Sequence, residues 1–357
     1  MNRTLLFGTA ERIIQRFAIT RGPLTIEPLG RGLINDTFLV AAETGQWVLQ
    51  RLNDQVFANP ERIMTNLSSL VAHVAHKGMG NLNLPELART VEGETWTRDE
   101  EGAAWRLLSF IPGRPLGQIA SDLQAAEVGR VLGAFHRSVS DLDPAHLEVT
   151  LPGFHVTPNY LRAFDRVKRE AVMSPQLGLE EALAFVAARR TGLDVLELAQ
   201  AGGLIPQRVI HGDPKLDNLV FDLAGQRALA LIDLDTVQPG LILHDLGDCL
   251  RSCCNRRGES ASFETPVAFD LDVCRPLLHA YADQTQGLLG PAEVQLLYAA
   301  IRLIPLELGL RFLTDHLQGN RWFRITAPGQ NLAKAQVQFA LVADIERKEQ
   351  EIQGIIA

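Results

Sequence analysis

The sequence predicts an α+β fold of two lobes, an antiparallel-sheet N-terminal lobe followed by a mainly helical C-terminal lobe. Three short β-rich segments cover residues 24–29, 38–41 and 47–52. Turns that contain glycine separate them, which is typical of an antiparallel sheet. From residue 125 onward, apolar residues recur at helical spacing. The segment IPGRP at residues 111–115 interrupts the chain between the two patterns. We therefore predict two lobes, residues 1–111 and 112–357.

The remaining elements of the N-terminal lobe are two helices and two strands. Apolar residues at helical spacing predict a first helix over residues 4–17. A second helix is predicted over residues 61–77, because Pro60 suits the first turn and one face of the segment is apolar. Two further strands are predicted at residues 87–92 and 103–110.

The C-terminal lobe is predicted to consist mainly of helices. Helical spacing marks residues 125–139, 159–169, 179–199, 274–283, 291–317 and 331–352. Pro305 is expected to bend the longest of these helices, because proline cannot donate the backbone hydrogen bond of a helix interior. His136 lies on an apolar helix face, and we expect a core histidine that is hydrogen-bonded to backbone.

Composition narrows the class of protein. The 357 residues are 46% hydrophobic and 21% charged, as in soluble globular proteins, and the formal net charge is −8. An acidic chain does not favour nucleic-acid binding. No segment has the apolar length of a membrane span or of a signal peptide, so we expect a cytoplasmic monomer or homodimer with no membrane partner. Four cysteines are too few to indicate a disulfide framework.

Two apolar strands that lead into acidic residues stand out between residues 208 and 235. Asp213 follows the first strand, whereas Asp233 and Asp235 follow the second. Lys215 and Asn218 lie between them, and a small hairpin is predicted through residues 219–221 and the turn at residues 224–225. Carboxylates at strand ends are held on rigid supports, as chemistry on a phosphoryl group requires. This stretch is predicted to bind magnesium and to activate a substrate hydroxyl.

A glycine-bearing turn lies near the start of the sheet. Gly30 and Gly32 allow close backbone approach, and such a turn can direct N–H groups at phosphate. Asn35 and Thr37 would add side-chain donors. Taken alone, two such glycines are more often found in a plain hairpin turn than in a phosphate loop, so the prediction depends on the acidic stretch described above.

These motifs resemble those of a known family. The segment HGDPKLDN (residues 211–218) has the spacing of the kinase catalytic loop, and IDLD (residues 232–235) stands in the place of the kinase DFG motif. Without DFG or APE motifs, the chain resembles the aminoglycoside phosphotransferase and choline kinase superfamily. GLINDT, WVLQRLN, IDLDTVQPG, HDLGD and LGLRFLTDHL are most similar to its N-acetylhexosamine 1-kinase branch. The resemblance covers residues 29–323 and implies a two-lobed protein-kinase-like fold.

The resemblance implies ATP and Mg²⁺ as cofactors and assigns roles to the acidic stretch. Asp213 would accept the proton of the attacking hydroxyl, and Lys215 would neutralise charge on the γ-phosphate. Asn218 and Asp233 would hold the metal. The alternative, N-cap or turn roles for these residues, is disfavoured because the order of the lobes agrees with the motif. His211 is expected to brace the loop rather than to react.

The resemblance also implies a nucleotide site in the N-terminal lobe. Arg51 aligns with the strand lysine that binds phosphates in protein kinases, although a shift of one residue would place Gln50 there. Glu61 is a candidate ion partner, or simply a favourable helix-start charge. Adenine would contact the backbone near Phe110 and Ile111.

The acceptor site is less well defined by the sequence. Asp235 is predicted to be a second metal ligand or to bind a substrate hydroxyl. Arg311, Thr314 and Asp315 are predicted to line a polyol pocket, with plain surface charge as an equal alternative. Asp245 and Asp248 are expected to cap and brace the helix that follows them.

The sequence thus predicts an ATP- and Mg²⁺-dependent kinase of a small hydroxylated metabolite, with the anomeric hydroxyl of an N-acetylhexosamine or related sugar as the best-matching acceptor. Choline, ethanolamine, homoserine or an aminoglycoside are alternative acceptors of the same chemistry. A catalytically silent pseudokinase is the non-enzyme alternative.

Overall fold

The computed structural model describes residues 3–19, 22–30, 35–43, 45–77, 83–171, 176–258 and 266–357, with side chains from Leu6 onward. Within these residues no helix has both the length and the apolar character needed to cross a bilayer. The chain forms a sheet-rich N-terminal lobe and a helical C-terminal lobe, as predicted.

The N-terminal lobe is built on a five-stranded antiparallel sheet. Its strands are β1 (Thr25–Pro28), β2 (Asp36–Ala42), β3 (Gly45–Arg51), β4 (Trp96–Arg98) and β5 (Ala104–Ser109). They lie in the order β1-β2-β3-β5-β4. Helix α1 (Arg3–Ile14) covers one face. The predicted first helix is confirmed, although it ends earlier than residue 17.

The two faces of this sheet differ in character because successive strand residues point to opposite sides. Phe38, Leu49 and Leu107 are directly paired across β2, β3 and β5, and all three are buried in the apolar cluster with α1. One position away, Thr37, Gln50 and Arg106 pair in the same way on the opposite face. This polar row faces the C-terminal lobe.

The strand predicted at residues 87–92 is wrong. Leu87 forms an isolated bridge with Leu108 and Thr90 forms one with Phe17, so the backbone hydrogen bonds of this segment are divided between two partners. The edge strand of the sheet is β4 instead, which follows the turn at Gly93 and pairs with β5.

Helix α2 (Pro60–Lys77) confirms the second predicted helix and connects the two lobes. Its buried residues Met64, Leu67 and Leu70 belong to the large apolar cluster of the C-terminal lobe. Asn66 is fully buried; its Nδ2 donates to Glu148 O (2.7 Å) and Val237 O (2.9 Å). The helix therefore packs on the lobe that follows it in sequence.

The C-terminal lobe contains the predicted helices, two of them divided. The helices are α3 (Asp122–Ser138), α4 (Thr157–Glu170), α5 (Leu179–Ala187), α6 (Val195–Ala201), α7 (Ile242–Cys253), α8 (Leu271–Thr285), α9 (Pro291–Leu317), α10 (Gln330–Arg347) and α11 (Glu349–Ile356). A turn with Gly192 at positive φ separates α5 from α6, and Lys348 separates α10 from α11. Helix α9 continues through Pro305.

Two small antiparallel pairs carry the acidic stretch. Strand β6 (Arg208–Ile210) pairs with β9 (Gln238–Gly240), and β7 (Leu219–Phe221) pairs with β8 (Ala228–Leu231). The predicted hairpin is thus confirmed. Backbone from two other segments contacts it: Arg114, just after the segment between the lobes, exchanges two hydrogen bonds with Phe221, and Asn83 N of the first lobe donates to Leu229 O at 2.9 Å.

The crossing of α3 and α8 depends on Gly129, where a Cβ would lie 2.0 Å from Leu277 O and 3.0 Å from Tyr281 N. We expect Gly129→Ala to lower the free energy of unfolding by about 1–3 kcal/mol, because neither backbone atom can yield easily. Gly354→Ala is the matched control, since its Cβ would meet open space in α11, and it should be neutral or slightly stabilising. Equal urea midpoints for the two variants would contradict the tight crossing.

Candidate active site

The catalytic loop is held by one buried carboxylate. Asp245 on α7 accepts hydrogen bonds from His211 N (2.7 Å) and Gly212 N (2.8 Å), and it contacts His136 Nε2 at 2.9 Å. Burial alone would raise the pKa of Asp245, but its hydrogen bond with His136 and the other bonds hold that pKa below its ordinary value. Asp245 therefore braces the loop from inside α7, which corrects the expected role at a helix start.

His136 is a core histidine, but its partners are side chains and not the expected backbone. Its Nδ1 lies 2.9 Å from the hydroxyl of Tyr281, opposite the contact with Asp245. Two helices, α3 and α8, thereby support the carboxylate that supports the loop.

The loop itself needs a glycine and a neutral histidine. Gly212 has φ +88°, and a Cβ there would lie 2.6 Å from Thr236 O. His211 Nδ1 accepts from Asp213 N (3.2 Å), so Nε2 carries the proton that is shared with Ile232 O at 3.0 Å. Burial lowers the pKa of His211, in agreement with this neutral form. His211 braces the loop, as predicted.

Asp213 lies beside two of the other predicted residues. Its Oδ2 forms an ion pair with Lys215 Nζ and accepts from Asn218 Nδ2 at 3.1 Å. The same Nδ2 donates to the backbone oxygen of Asp213 at 2.7 Å. The contacts with the Asp213 carboxylate both fall on Oδ2, so Oδ1 is the oxygen left for a substrate hydroxyl.

Asp233 follows β8 in a left-handed conformation, φ +66° and ψ +58°, which is sparsely populated by residues other than glycine. Burial, together with the charges of Asp235 and Asp213, raises the pKa of Asp233 to about 7. Lys215 and Arg106 oppose this rise. A bound cation would reduce the repulsion among the negative charges at this position.

The donor atoms at this position suit magnesium. Because Asn218 Nδ2 is directed at Asp213, its Oδ1 can serve as a ligand together with the carboxylate of Asp233, and Mg²⁺ prefers such oxygens. Within the described parts of the chain, no group of three or more His, Cys, Asp or Glu side chains could hold a metal ion. The two ligands would therefore share the ion with phosphate oxygens.

Asp235 is not placed as predicted. It is 2% exposed; its Oδ1 lies 2.5 Å from Arg106 Nη2 and its Oδ2 accepts from Asn35 Nδ2 at 2.7 Å. Both oxygens are engaged inside the protein, so the predicted role as a second metal ligand or substrate contact is corrected.

Asn35 is corrected for the same reason. Its Nδ2 donates to Asp235 and its Oδ1 accepts from Asn53 N at 3.0 Å, so both polar atoms of this buried side chain are engaged inside the protein. Thr37 Oγ1 accepts from Gln50 Nε2 at 3.3 Å. Gly30 has φ +69°, as a glycine turn requires; Gly32 lies outside the described residues.

Arg51 is also corrected. It lies on the α1 face of the sheet, 3.7 Å from Asp36 and 3.9 Å from Asp99. Gln50 occupies the other face and accepts from Arg106 Nε and Nη2 at 3.0 and 2.7 Å. The cation that faces the catalytic hairpin is therefore Arg106. One signal was available in the sequence, a single arginine inside the apolar strand AWRLLS.

Glu61 is paired with neither Arg51 nor Arg106. Its carboxylate accepts from Arg98 Nη2 at 3.0 Å on the surface. The predicted ion partner of the strand cation is thus engaged elsewhere.

The segment between the lobes is half-buried at Phe110 and Ile111. Phe110 N donates to Gln46 O at 3.0 Å, so this N–H is already in use. Gly113 is packed so closely that a Cβ would lie 2.3 Å from Phe221 O. The segment is therefore fixed directly on the catalytic hairpin.

Asp315 is one of the three residues that were predicted to line a polyol pocket. Asp315 is buried and accepts from Arg321 N (2.8 Å), Trp322 N (2.9 Å), Phe323 N (3.0 Å) and Asn331 Nδ2 (2.9 Å). It organises a loop and is unavailable to substrate, which corrects that prediction.

Thr314 and Arg311 lie on the same helix as Asp315. Thr314 Oγ1 donates to Leu310 O at 2.7 Å. The Arg311 guanidinium lies among three rings, 5.5 Å from Phe154, 5.2 Å from Tyr160 and 5.7 Å from Phe323.

A buried histidine that the sequence did not indicate joins this region to the catalytic loop. His155 Nε2 lies 2.9 Å from Gly212 O, and Nδ1 lies 3.1 Å from Glu307 Oε1. Thr157 Oγ1 donates to Glu307 Oε2 at 3.0 Å. Both ring nitrogens face acceptors, so the doubly protonated form fits. Burial alone would lower the pKa of His155, but Glu307 holds that pKa above its ordinary value.

Comparisons with known proteins identify the family and the fold. The model of the phosphotransferase enzyme family matches residues 25–282. A microcompartment-associated aminopropanol kinase has a TM-score of 0.69 at 14% identity, over 97% of this chain and 98% of that chain. An aminoglycoside phosphotransferase from Alicyclobacillus acidocaldarius gives 0.64 at 13%, over 96% of each chain. An ethanolamine kinase from Plasmodium vivax gives 0.54 at 13%, over 88% and 82%. These structures share the two-lobed fold.

The His155–Glu307 pair predicts a pH dependence of stability. Because the folded-state pKa of His155 is raised, its stabilisation is complete below the unfolded pKa of about 6.5 and is lost as pH rises through the folded pKa. The loss of unfolding free energy in His155→Gln should therefore be larger at about pH 6 than at about pH 9. His146→Gln, an exposed site, is the control. A loss that is the same at both pH values would contradict the charged form.

Proposed function

Because the chain belongs to the phosphotransferase enzyme family and is thus a small-molecule phosphotransferase, we propose an ATP- and Mg²⁺-dependent kinase of the cytoplasm. Its acceptor is the anomeric hydroxyl of an N-acetylhexosamine or a related sugar. One observation carries the phosphoryl-transfer part: Asp213, Lys215 and Asn218 are in direct contact on a braced loop. Ile232 N, next to Asp233, donates to Asn218 O at 2.8 Å.

Asp213 is the proposed general base. Its Oδ1 accepts the hydrogen bond of the acceptor hydroxyl and takes that proton as the new O–P bond forms and the bond to ADP breaks. Lys215 and Asn218 hold Oδ2, which fixes the carboxylate plane. A positioned base contributes about 10²–10⁴-fold to the rate.

Lys215 has a second role beside this base. Its ammonium group lies between the charges of Asp213 and Asp233, and these two carboxylates hold its pKa above the ordinary value although burial alone would lower it. A lysine that stays protonated can neutralise charge on the transferred phosphoryl group. It also moderates the repulsion between the two aspartates.

Asn218 Oδ1 and the carboxylate of Asp233 are the proposed metal ligands. Mg²⁺, when bound there with the triphosphate, neutralises charge on the phosphates. Gly30 and Thr37 are proposed to border the phosphates, together with Gly32. Phe110 and Ile111 are proposed to contact adenine.

The charges around Arg311 support a neutral acceptor. Glu307 is paired with His155 and Thr157, and Asp315 is saturated by its loop. These nearby acids are therefore not available to a cationic substrate. The positive Arg311 already lies beside Tyr160. Amino alcohols and aminoglycosides need acids or free aromatic faces to bind their ammonium groups, whereas a sugar does not. Thr314 remains a proposed contact through its oxygen lone pairs.

The alternatives keep the same fold and change the acceptor or remove the activity. The similar solved structures include kinases of aminopropanol, ethanolamine and aminoglycosides, so choline, ethanolamine, homoserine or an aminoglycoside are the competing acceptors. A pseudokinase is disfavoured because Asp213, Asn218 and Asp233 are all present.

An acceptor panel tests the proposal. ADP release would be measured with N-acetylhexosamines, other sugars, amino alcohols, homoserine and aminoglycosides, and the product position would be assigned by ³¹P NMR. We expect turnover with a sugar and an anomeric phosphate product. Turnover restricted to a cationic acceptor would refute the sugar, and Mg·ATP binding without any turnover would support the pseudokinase.

Asp213→Asn tests the base within the same assay. We expect kcat to fall by about 10²–10⁴-fold because the amide cannot take the proton, while Mg·ATP affinity stays nearly unchanged. Asp217→Asn, an exposed change within the same loop, is the control and should keep near-native kcat. Near-native turnover by Asp213→Asn would remove this residue from the base role.

A further inference from the structure

We propose that Arg106 and Asp235 form an interlobe ion pair that holds Asn35 of the sheet lobe beside the proposed metal site, with the guanidinium of Arg106 directed at the phosphates. This inference rests on the proposed kinase function. In protein kinases a strand lysine paired with a helix glutamate performs this task, and here the pair lies on different elements.

The usual arrangement is absent from the equivalent positions of this chain. On β3 the residue that faces the catalytic hairpin is Gln50, which is neutral, whereas Arg51 faces α1. The helix that follows, α2, contains a single acid, Glu61. That acid binds Arg98 on the surface. Neither partner of a strand-to-helix ion pair is therefore available.

Arg106 on the next strand supplies the missing cation. It is 1% exposed, and Gln50, its direct neighbour across the sheet, accepts from Nε and Nη2. Nη2 also lies 2.5 Å from Asp235 Oδ1. The side chain thus crosses from the sheet of one lobe to the acidic stretch of the other.

One nitrogen of Arg106 indicates a further ligand. Nη1 is buried and has no hydrogen-bond partner among the described residues. A buried charged donor without an acceptor is costly, so an acceptor belongs beside it in the working enzyme. Arg106 contacts Asp235, two residues after Asp233, which places the guanidinium near the proposed metal site. A phosphate oxygen has the required chemistry, because arginine binds phosphate well.

Asp235 adds a second connection, to the glycine-bearing loop. Asn35, directly after the undescribed residues 31–34, donates to Asp235 Oδ2 at 2.7 Å. The same carboxylate therefore holds Asn35 and Arg106, both from the N-terminal lobe. Asp235 lies only two residues after the metal ligand Asp233, in the short helical turn Leu234–Thr236. It fixes Asn35 relative to the proposed metal site.

The polar row of Thr37, Gln50 and Arg106 connects the ion pair to the neighbouring strands of the sheet. Arg106 donates to Gln50, and Gln50 Nε2 donates to Thr37 Oγ1. Thr37 O accepts from Leu29 N at 2.9 Å, at the other end of the same loop. Leu29 and Asn35 are thereby both connected to the Arg106–Asp235 pair. A buried ion pair of this kind is better suited to fixing an arrangement than to adding stability.

Calorimetry of Mg·ATP binding to the full chain tests the inference without needing an acceptor. We expect Arg106→Met to bind about 30-fold or more weakly, because it removes one partner of a buried charged pair. Arg106→Lys should recover part of this loss, since lysine keeps the charge but not the forked geometry. Arg51→Met, on the opposite sheet face, is the matched control and should bind within about 2-fold of the wild type.

A steady-state measurement separates positioning from general damage. The KM for Mg·ATP should rise in Arg106→Met while the KM for the acceptor stays the same, both measured at a temperature at which the variant is fully folded, because the unpaired Asp235 will lower the melting temperature. If Arg106→Met does not fold, Asp235→Asn, which keeps the shape and removes the charge, is measured in its place with the same expectation.

The outcomes distinguish this inference from the function on which it rests. Wild-type protein that does not bind Mg·ATP would refute the proposed kinase function. Wild-type protein that binds, with Arg106→Met or Asp235→Asn binding equally well, would overturn the positioning role alone. Weaker binding by Arg51→Met than by Arg106→Met would return the phosphate role to Arg51.

Discussion

The buried carboxylate of Asp245 is the contact on which the candidate site depends. It accepts from two consecutive backbone N–H groups of the catalytic loop and from His136, and none of these groups can reach water. Loss of the carboxylate would leave buried donors without an acceptor, which is costly. Because Asp213 directly follows the two residues held in this way, the position of the proposed base is determined by a helix that supplies none of the proposed catalytic groups.

A second constraint acts between the lobes. Asp235 holds Arg106 and Asn35 from the sheet lobe, while His155 connects Glu307 of α9 to Gly212 O in the loop. The candidate active site is thus bounded by two buried charged pairs. One lies on the proposed nucleotide side and the other on the proposed acceptor side. This division is consistent with a transferase that must align two substrates on a single hairpin.

Local patterns predicted the elements and the hairpin, because strand, turn and helix signals are carried by neighbouring residues. The wrong role assignments concern residues whose side-chain partners are determined by the tertiary structure. Asp235 and Asn35 are 200 residues apart, so no local pattern indicates that their side chains form a hydrogen bond with each other. Arg51 was misassigned because a shift of one residue reverses the sheet face. Asp315 looked like a pocket residue, yet it closes the loop that contains Trp322 and Phe323.

The central claim is that Asn218 and Asp233 hold the metal of a nucleotide complex beside the base Asp213. The most direct measurement is anomalous diffraction from crystals grown with Mn²⁺ and a non-hydrolysable ATP analogue. The account predicts one manganese peak bound by Asn218 Oδ1, the Asp233 carboxylate and phosphate oxygens. A peak that is bound by Asp235, or that lies away from Asp233, would contradict it.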